Sequence, residues 1–131
     1  MSKTEIFRKY WDAVATSDQE AIQALVTDDM SIVGPLTRND GKQQFLEGVK
    51  PVMKFSHGYT LHRQFEHGEE LVSIYEIHVG PPATPGDVLV AEWMRFRDGK
   101  VASTRMIFNG ADLAKLLPEG LRPTRSPDAA P

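Results

Sequence analysis

Val88-Leu89-Val90-Ala91-Glu92-Trp93-Met94-Arg95-Phe96-Arg97 alternates along its whole length. Side chains of a strand point to opposite faces in turn, so Val88, Val90, Glu92, Met94 and Phe96 share one face. Leu89, Ala91, Trp93, Arg95 and Arg97 take the other. The carboxyl of Glu92 therefore stands among four apolar neighbours, with both arginines behind it. Desolvation disfavours a charged carboxylate, so Glu92 is expected to stay protonated and able to donate a hydrogen bond. Two plainer readings stay open: an ion pair with a basic residue from elsewhere in the fold, or an edge position that reaches water.

The same period of two recurs around this stretch. Tyr59 to Phe65, Leu71 to Val79 and Val101 to Phe108 read as further strands. Asp98-Gly99 is a favoured two-residue hairpin turn, and Gly80 to Asp87 is a long loop with three prolines. The N-terminal half has a helical period instead. Ser2-Lys3-Thr4-Glu5 and Ser17-Asp18-Gln19-Glu20 both have the capping-box spacing. They predict a first helix to about Thr16, with Ile6, Phe7, Tyr10 and Val14 on its apolar stripe, and a second carrying Ala21, Ile22, Leu25 and Val26. Met30 to Val33 is a short strand ended by Gly34-Pro35. Asp40 is placed to cap a third helix from Gly41 to Lys50, which Pro51 ends or kinks. Ala111 to Leu117 adds a helical turn or two. Helices first and antiparallel strands afterwards give an α+β domain. Residues 1–117 make one domain, and the proline-rich tail 118–131 is expected to be disordered.

Composition narrows the function. A net charge of −3 argues against a general nucleic-acid binder, which needs a basic face. The absence of cysteine removes disulfides, thiolate metal sites and a cysteine nucleophile. No apolar run approaches the roughly 20 residues of a membrane span, and no signal core opens the chain, so a cytoplasmic protein with no membrane partner is expected. His57, His62, His67 and His78 show no metal-ligand spacing, and neither a metal nor a cofactor is expected.

Two stretches carry a family resemblance. One runs from Tyr10-Trp11-Asp12-Ala13-Val14-Ala15-Thr16-Ser17-Asp18 to Pro35; the other is Glu92-Trp93-Met94-Arg95-Phe96 followed by Gly99 to Phe108. They resemble the nuclear transport factor 2-like superfamily, and within it the bacterial ketosteroid isomerases and the SnoaL-like polyketide cyclases. The resemblance implies a cone-shaped, curved antiparallel sheet packed on three N-terminal helices and enclosing a pocket. It also implies a homodimer and a small apolar ligand of carbonyl type. Tyr10 and Glu92 fall where the isomerases have the two hydrogen-bond donors of their oxyanion hole. The isomerase general base falls on Gly34, which cannot accept a proton, and a further isomerase tyrosine falls on Val49. Asn109 stands where the cyclases often carry an aspartate.

The remaining candidates follow from register. Val90 and Met94 flank Glu92, and Thr104, Met106 and Phe108 make one uncharged strand face; with Val33 and Phe45 they are the expected ligand-binding wall. Plain core is an equally open reading for these residues, and for Tyr10. On the strand 71–79, Glu76 and His78 share a face with Val72 and Ile74, and either is a candidate substitute base if that face is concave. The opposite register puts Leu71, Ser73, Tyr75 and Ile77 inside. A one-residue slip exchanges the two sets, and the sequence leaves both open. Two functions fit: an isomerase- or cyclase-like enzyme, or a non-catalytic ligand-binding or dimeric interaction module.

Overall fold

A computed structural model describes residues 1–121 of the chain. Helix α1 (Lys3–Ala15) starts at Ser2, whose hydroxyl accepts from Glu5 N–H while the Glu5 carboxylate reaches back, as the capping box requires. The second expected box does not form. Asp18 caps α2 (Gln19–Ala24) by accepting from Ala21 N–H, and Ser17 is left at φ 55° in the tight link between helices. Helix α3 (Lys42–Phe55) begins after Gly41 at φ 90°, not under an Asp40 side-chain cap. It runs four residues beyond Pro51. Proline removes one backbone donor from the helix, but Phe55 in the last turn is buried, and that packing carries the helix onward.

Six strands form one curved, unclosed sheet: β1 (Val26–Val33), β2 (Arg38–Asp40), β3 (Ser56–His67), β4 (Glu70–Val79), β5 (Gly86–Arg97) and β6 (Lys100–Ile107). Their order is β2-β1-β6-β5-β4-β3. Neighbours are antiparallel except β1 and β6, which run parallel. This pairing explains why β1 is longer than the expected Met30–Val33. Val26 pairs with Val101 and leaves the helix the apolar pattern had assigned to it. The short edge strand β2 has no apolar alternation and was not expected. Asp98 and Gly99, at φ 53° and 75°, make the β5–β6 turn with both residues left-handed, as a tight hairpin needs. Register shifts in β1, β3 and at Arg95/Phe96 bend the sheet around the helices.

The inner face buries Val88, Val90, Glu92, Met94 and Phe96 of β5, at 0–5% exposure, as their alternation required. On β4 the inner set is Leu71, Ser73, Tyr75, Ile77 and Val79, which settles the register the sequence left open. Helix α1 lays Ile6, Phe7, Tyr10, Trp11 and Val14 against this face. Phe7 meets Tyr75 edge-on at 5.2 Å between ring centroids, and Trp11 lies 5.2 Å from Tyr75. After β6, Asn109 caps the short helix α4 (Gly110–Ala114). Glu119–Leu121 form a 3-10 turn; the rest of the expected disordered tail, 122–131, lies outside the described residues.

Candidate functional site

Glu92 is fully buried at the centre of a polar cluster within an apolar core. Its Oε1 accepts from the Tyr75 hydroxyl at 2.6 Å and from the Trp11 indole N–H at 3.1 Å. Its Oε2 accepts from the Thr104 hydroxyl at 2.7 Å. Strand register explains two of these partners. Glu92 lies opposite Ser73 on β4 and Met106 on β6, so Tyr75 and Thr104 are its diagonal neighbours on the same face. Trp11 comes from α1 above the sheet. None of the three is a cation, so the ion-pair reading of Glu92 fails. Burial pushes the carboxyl above its ordinary value of 4.5, and the three donors pull it back only in part. A hydroxyl can reverse its role: Thr104 donates to the carboxylate and can accept from the carboxylic acid.

Tyr10 stands beside this cluster in a different condition. It is 3% exposed, and its hydroxyl has no hydrogen-bond partner among the described residues. Burial and the nearby Glu92 charge hold its phenol well above the ordinary value, so it is a neutral donor. A buried polar group without a partner is uncommon in a native fold. Tyr10 also lines a cavity of about 60 Å³ between the sheet and α3. Phe45, Val49 and Val52 of α3 form one wall, and Val90, Met106 and Phe108 another. The polar side chains on the lining are those of Tyr10, Trp11, Thr37 and Asn39.

The expected site residues thus separate. Tyr10, Phe45, Val90, Met106 and Phe108 line the cavity. Met94 is sealed in the core, Thr104 is held by Glu92, and Val33 is half-buried off the lining. Glu92 lies behind the wall rather than on it. Glu76 and His78 stand on the outer sheet face, where they cannot serve as bases for this cavity. Glu76 meets His62 at 2.7 Å, while His78 bridges Thr60 and Asp87 at 2.7 Å each. The reason is the register: Tyr75 and Ile77 are buried against the helices, while Val72 and Ile74 share the half-buried face with Glu76 and His78. Trp11, Tyr75 and Asn39 were not among the expected site residues. For Tyr75 the signal was its register; for Trp11, its place next to Tyr10 on α1. Asn39 gave none. Among the described residues, no group of three or more His, Asp or Glu could hold a metal. None of the described helices is long and apolar enough to cross a membrane.

The comparisons bear on the fold. No functionally curated protein matches the sequence. Among solved structures, a nuclear transport factor 2-like protein of unknown function from Burkholderia pseudomallei superposes with a TM-score of 0.75 at 17% identity, over 88% of this chain and 98% of that one. A protein with a ketosteroid isomerase-like fold from Catenulispora acidiphila, in complex with trimethylamine, gives 0.70 at 20% identity, over 89% and 96%. TerC, co-crystallised with polyporic acid, gives 0.69 at 19% identity, over 86% and 95%. At these identities the likeness concerns the fold. The SnoaL-like domain matches the sequence itself over residues 7–104, which takes in most of α1, Glu92 and Thr104, and the chain belongs to that family.

Proposed function

We propose that this protein binds a small, mostly apolar carbonyl compound in the cavity, with the Tyr10 hydroxyl donating to the carbonyl oxygen. The observation that carries this reading is the buried Tyr10 hydroxyl, unpartnered among the described residues and set on an apolar wall. A ligand carbonyl supplies the acceptor that the fold withholds. Binding without turnover is favoured over isomerisation, because among the described residues the lining side chains include no carboxylate or imidazole to move a proton. Two proteins of the same fold crystallised with small organic molecules support a ligand pocket by analogy only.

Acetophenone is a probe larger than the cavity of about 60 Å³, so its binding requires α3 and the sheet to part. Its binding should perturb Trp11, which also lines the cavity, and Tyr10→Phe should weaken it about 5- to 10-fold, the worth of one neutral hydrogen bond. Equal affinity in both proteins sinks the reading.

A catalytic reading keeps one specific support: Tyr10 is a neutral phenol donor on the cavity lining, as an oxyanion donor must be. Exchange of the acetophenone methyl protons into D₂O tests it directly. On the binding reading the wild-type protein gives no exchange above buffer.

A homodimer through the outer sheet face belongs to the same proposal. Leu89, Trp93 and Ile107 are 40–60% exposed there, on adjacent strands. Trp93→Glu should halve the sedimenting mass; an unchanged mass removes this face as the interface.

A further inference from the structure

Gly48 is the only glycine within α3, and it weakens that helix. A Cβ at Gly48 would lie 2.4 Å from Asn39 Nδ2 and 2.9 Å from its Cγ. At such distances a Cβ at Gly48 would push aside the Asn39 amide, the far end of a flexible side chain, which here rests directly on the helix backbone. Thr37 holds it there, with Asn39 Nδ2 donating to Thr37 Oγ1 at 3.2 Å. Both residues line the cavity, and both are half-buried where Tyr10 is fully buried. Asn39 Oδ1 accepts no hydrogen bond from the described residues. The cavity therefore has a deep polar point at Tyr10, a polar point nearer its mouth at Asn39, and apolar walls between them.

We infer that Asn39, seated on Gly48 and held by Thr37, sets specificity by receiving a hydroxyl at the outer end of a ligand whose carbonyl meets Tyr10. The ligand class is thereby narrowed to hydroxylated carbonyl compounds with an apolar body between the two groups. A ligand hydroxyl donates to Oδ1 and can also accept, whereas a methyl of the same size leaves the half-buried amide oxygen unpaired. The inference rests on the proposed ligand cavity, and adds a second recognition point to it.

The test uses 4-hydroxyacetophenone and 4-methylacetophenone, which differ by a hydroxyl in place of a methyl. Binding is followed by protein chemical shifts in the wild type, Asn39→Leu and Gly48→Ala. The wild type should prefer the hydroxyl compound by about 5- to 10-fold, and both variants should lose that preference while still binding the methyl compound. Gly48→Ala supplies the readout that a merely structural role would not move. Alanine raises helix propensity, so its melting temperature should hold or rise while the preference disappears. A wild type that binds both probes equally, or a preference that survives Asn39→Leu, overturns the role of Asn39 and leaves the cavity proposal standing. Binding of neither probe overturns the cavity proposal itself, and this inference with it.

Discussion

Trp11 on the first helix and Glu92 on the fifth strand, 81 positions apart, are joined by an indole N–H···Oε1 hydrogen bond of 3.1 Å. The bond ties α1 to the sheet at the point where Tyr75 also donates, so one carboxyl oxygen gathers two elements. Tyr75→Phe removes the shorter bond, at 2.6 Å, and leaves the carboxyl with one donor at Oε1. A hydrogen bond to a neutral buried group is worth about 0.5–1.5 kcal/mol, and chemical denaturation should show a loss of that size.

Tyr10→Phe should behave in the opposite way. The Tyr10 hydroxyl has no protein partner among the described residues, so its removal breaks nothing and relieves an unsatisfied group. Stability should be unchanged or rise by up to about 1 kcal/mol, while acetophenone affinity falls. A loss as large as that of Tyr75→Phe would mean that Tyr10 holds the fold rather than a ligand.

The raised pKa of Glu92 fixes the sign of a pH effect. The folded protein holds this proton more tightly than the unfolded chain, whose group titrates near 4.5. The stability it contributes is fully present below that value and is lost as pH rises through the folded value. Measured against Glu92→Gln, the wild type should therefore lose stability above pH 4.5, no faster than about 1.4 kcal/mol per pH unit, the limit for one proton. A difference between the two proteins that is flat with pH contradicts the buried neutral acid.

Asp29 has the reverse sign. Its hydrogen bond from Arg97, aided by Thr27, lowers the carboxyl from 3.8 to about 2. Its contribution is present above 3.8 and is lost as pH falls through about 2. The pair is exposed, so Arg97→Gln should scarcely alter stability at neutral pH. Carbon-detected NMR should nonetheless show the Asp29 carboxyl moving up toward its ordinary value.

Much of this was legible in the chain because burial and periodicity coincide. The alternation of Val88 to Arg97 gave the inner face of β5 and isolated Glu92 correctly. The β4 register was not legible, because both of its faces carry apolar residues and only packing against α1 chooses between them. That choice moved His78 and Glu76 outside and brought Tyr75 to Glu92. The length of α3 was hidden by Pro51, whose local penalty is outweighed by burial of Phe55. Asn39 was invisible, since its meaning comes from a neighbour, Gly48, that only the fold supplies. Tyr10 and Glu92 were found together by resemblance, but the resemblance could not tell that one lines the cavity while the other lies behind it.

Gly34, which the sequence resemblance aligns with the base of the isomerases, offers the sharpest test of what the cavity can do. Its N–H donates to Thr37 O at 2.9 Å, and a Cβ there would lie 3.5 Å from Met106 Cβ and 3.8 Å from Thr37 Cγ2, ordinary contact distances. Its φ lies outside the left-handed region, so alanine fits without strain. Gly34→Ala should therefore stabilise the protein by about 0.4–1 kcal/mol, chiefly by restricting the unfolded chain. Met106 and Thr37 both line the cavity, so the carboxylate of Gly34→Asp would reach its wall. That variant should gain methyl-proton exchange of acetophenone in D₂O, which the binding reading expects the wild type to lack. Adding Tyr10→Phe should cut the gained rate about 10²- to 10³-fold, the effect of removing one oxyanion donor. If Gly34→Asp folds, binds acetophenone and exchanges no faster than the wild type, then Tyr10 polarises a bound carbonyl too weakly for enolisation, and the site is built for recognition alone.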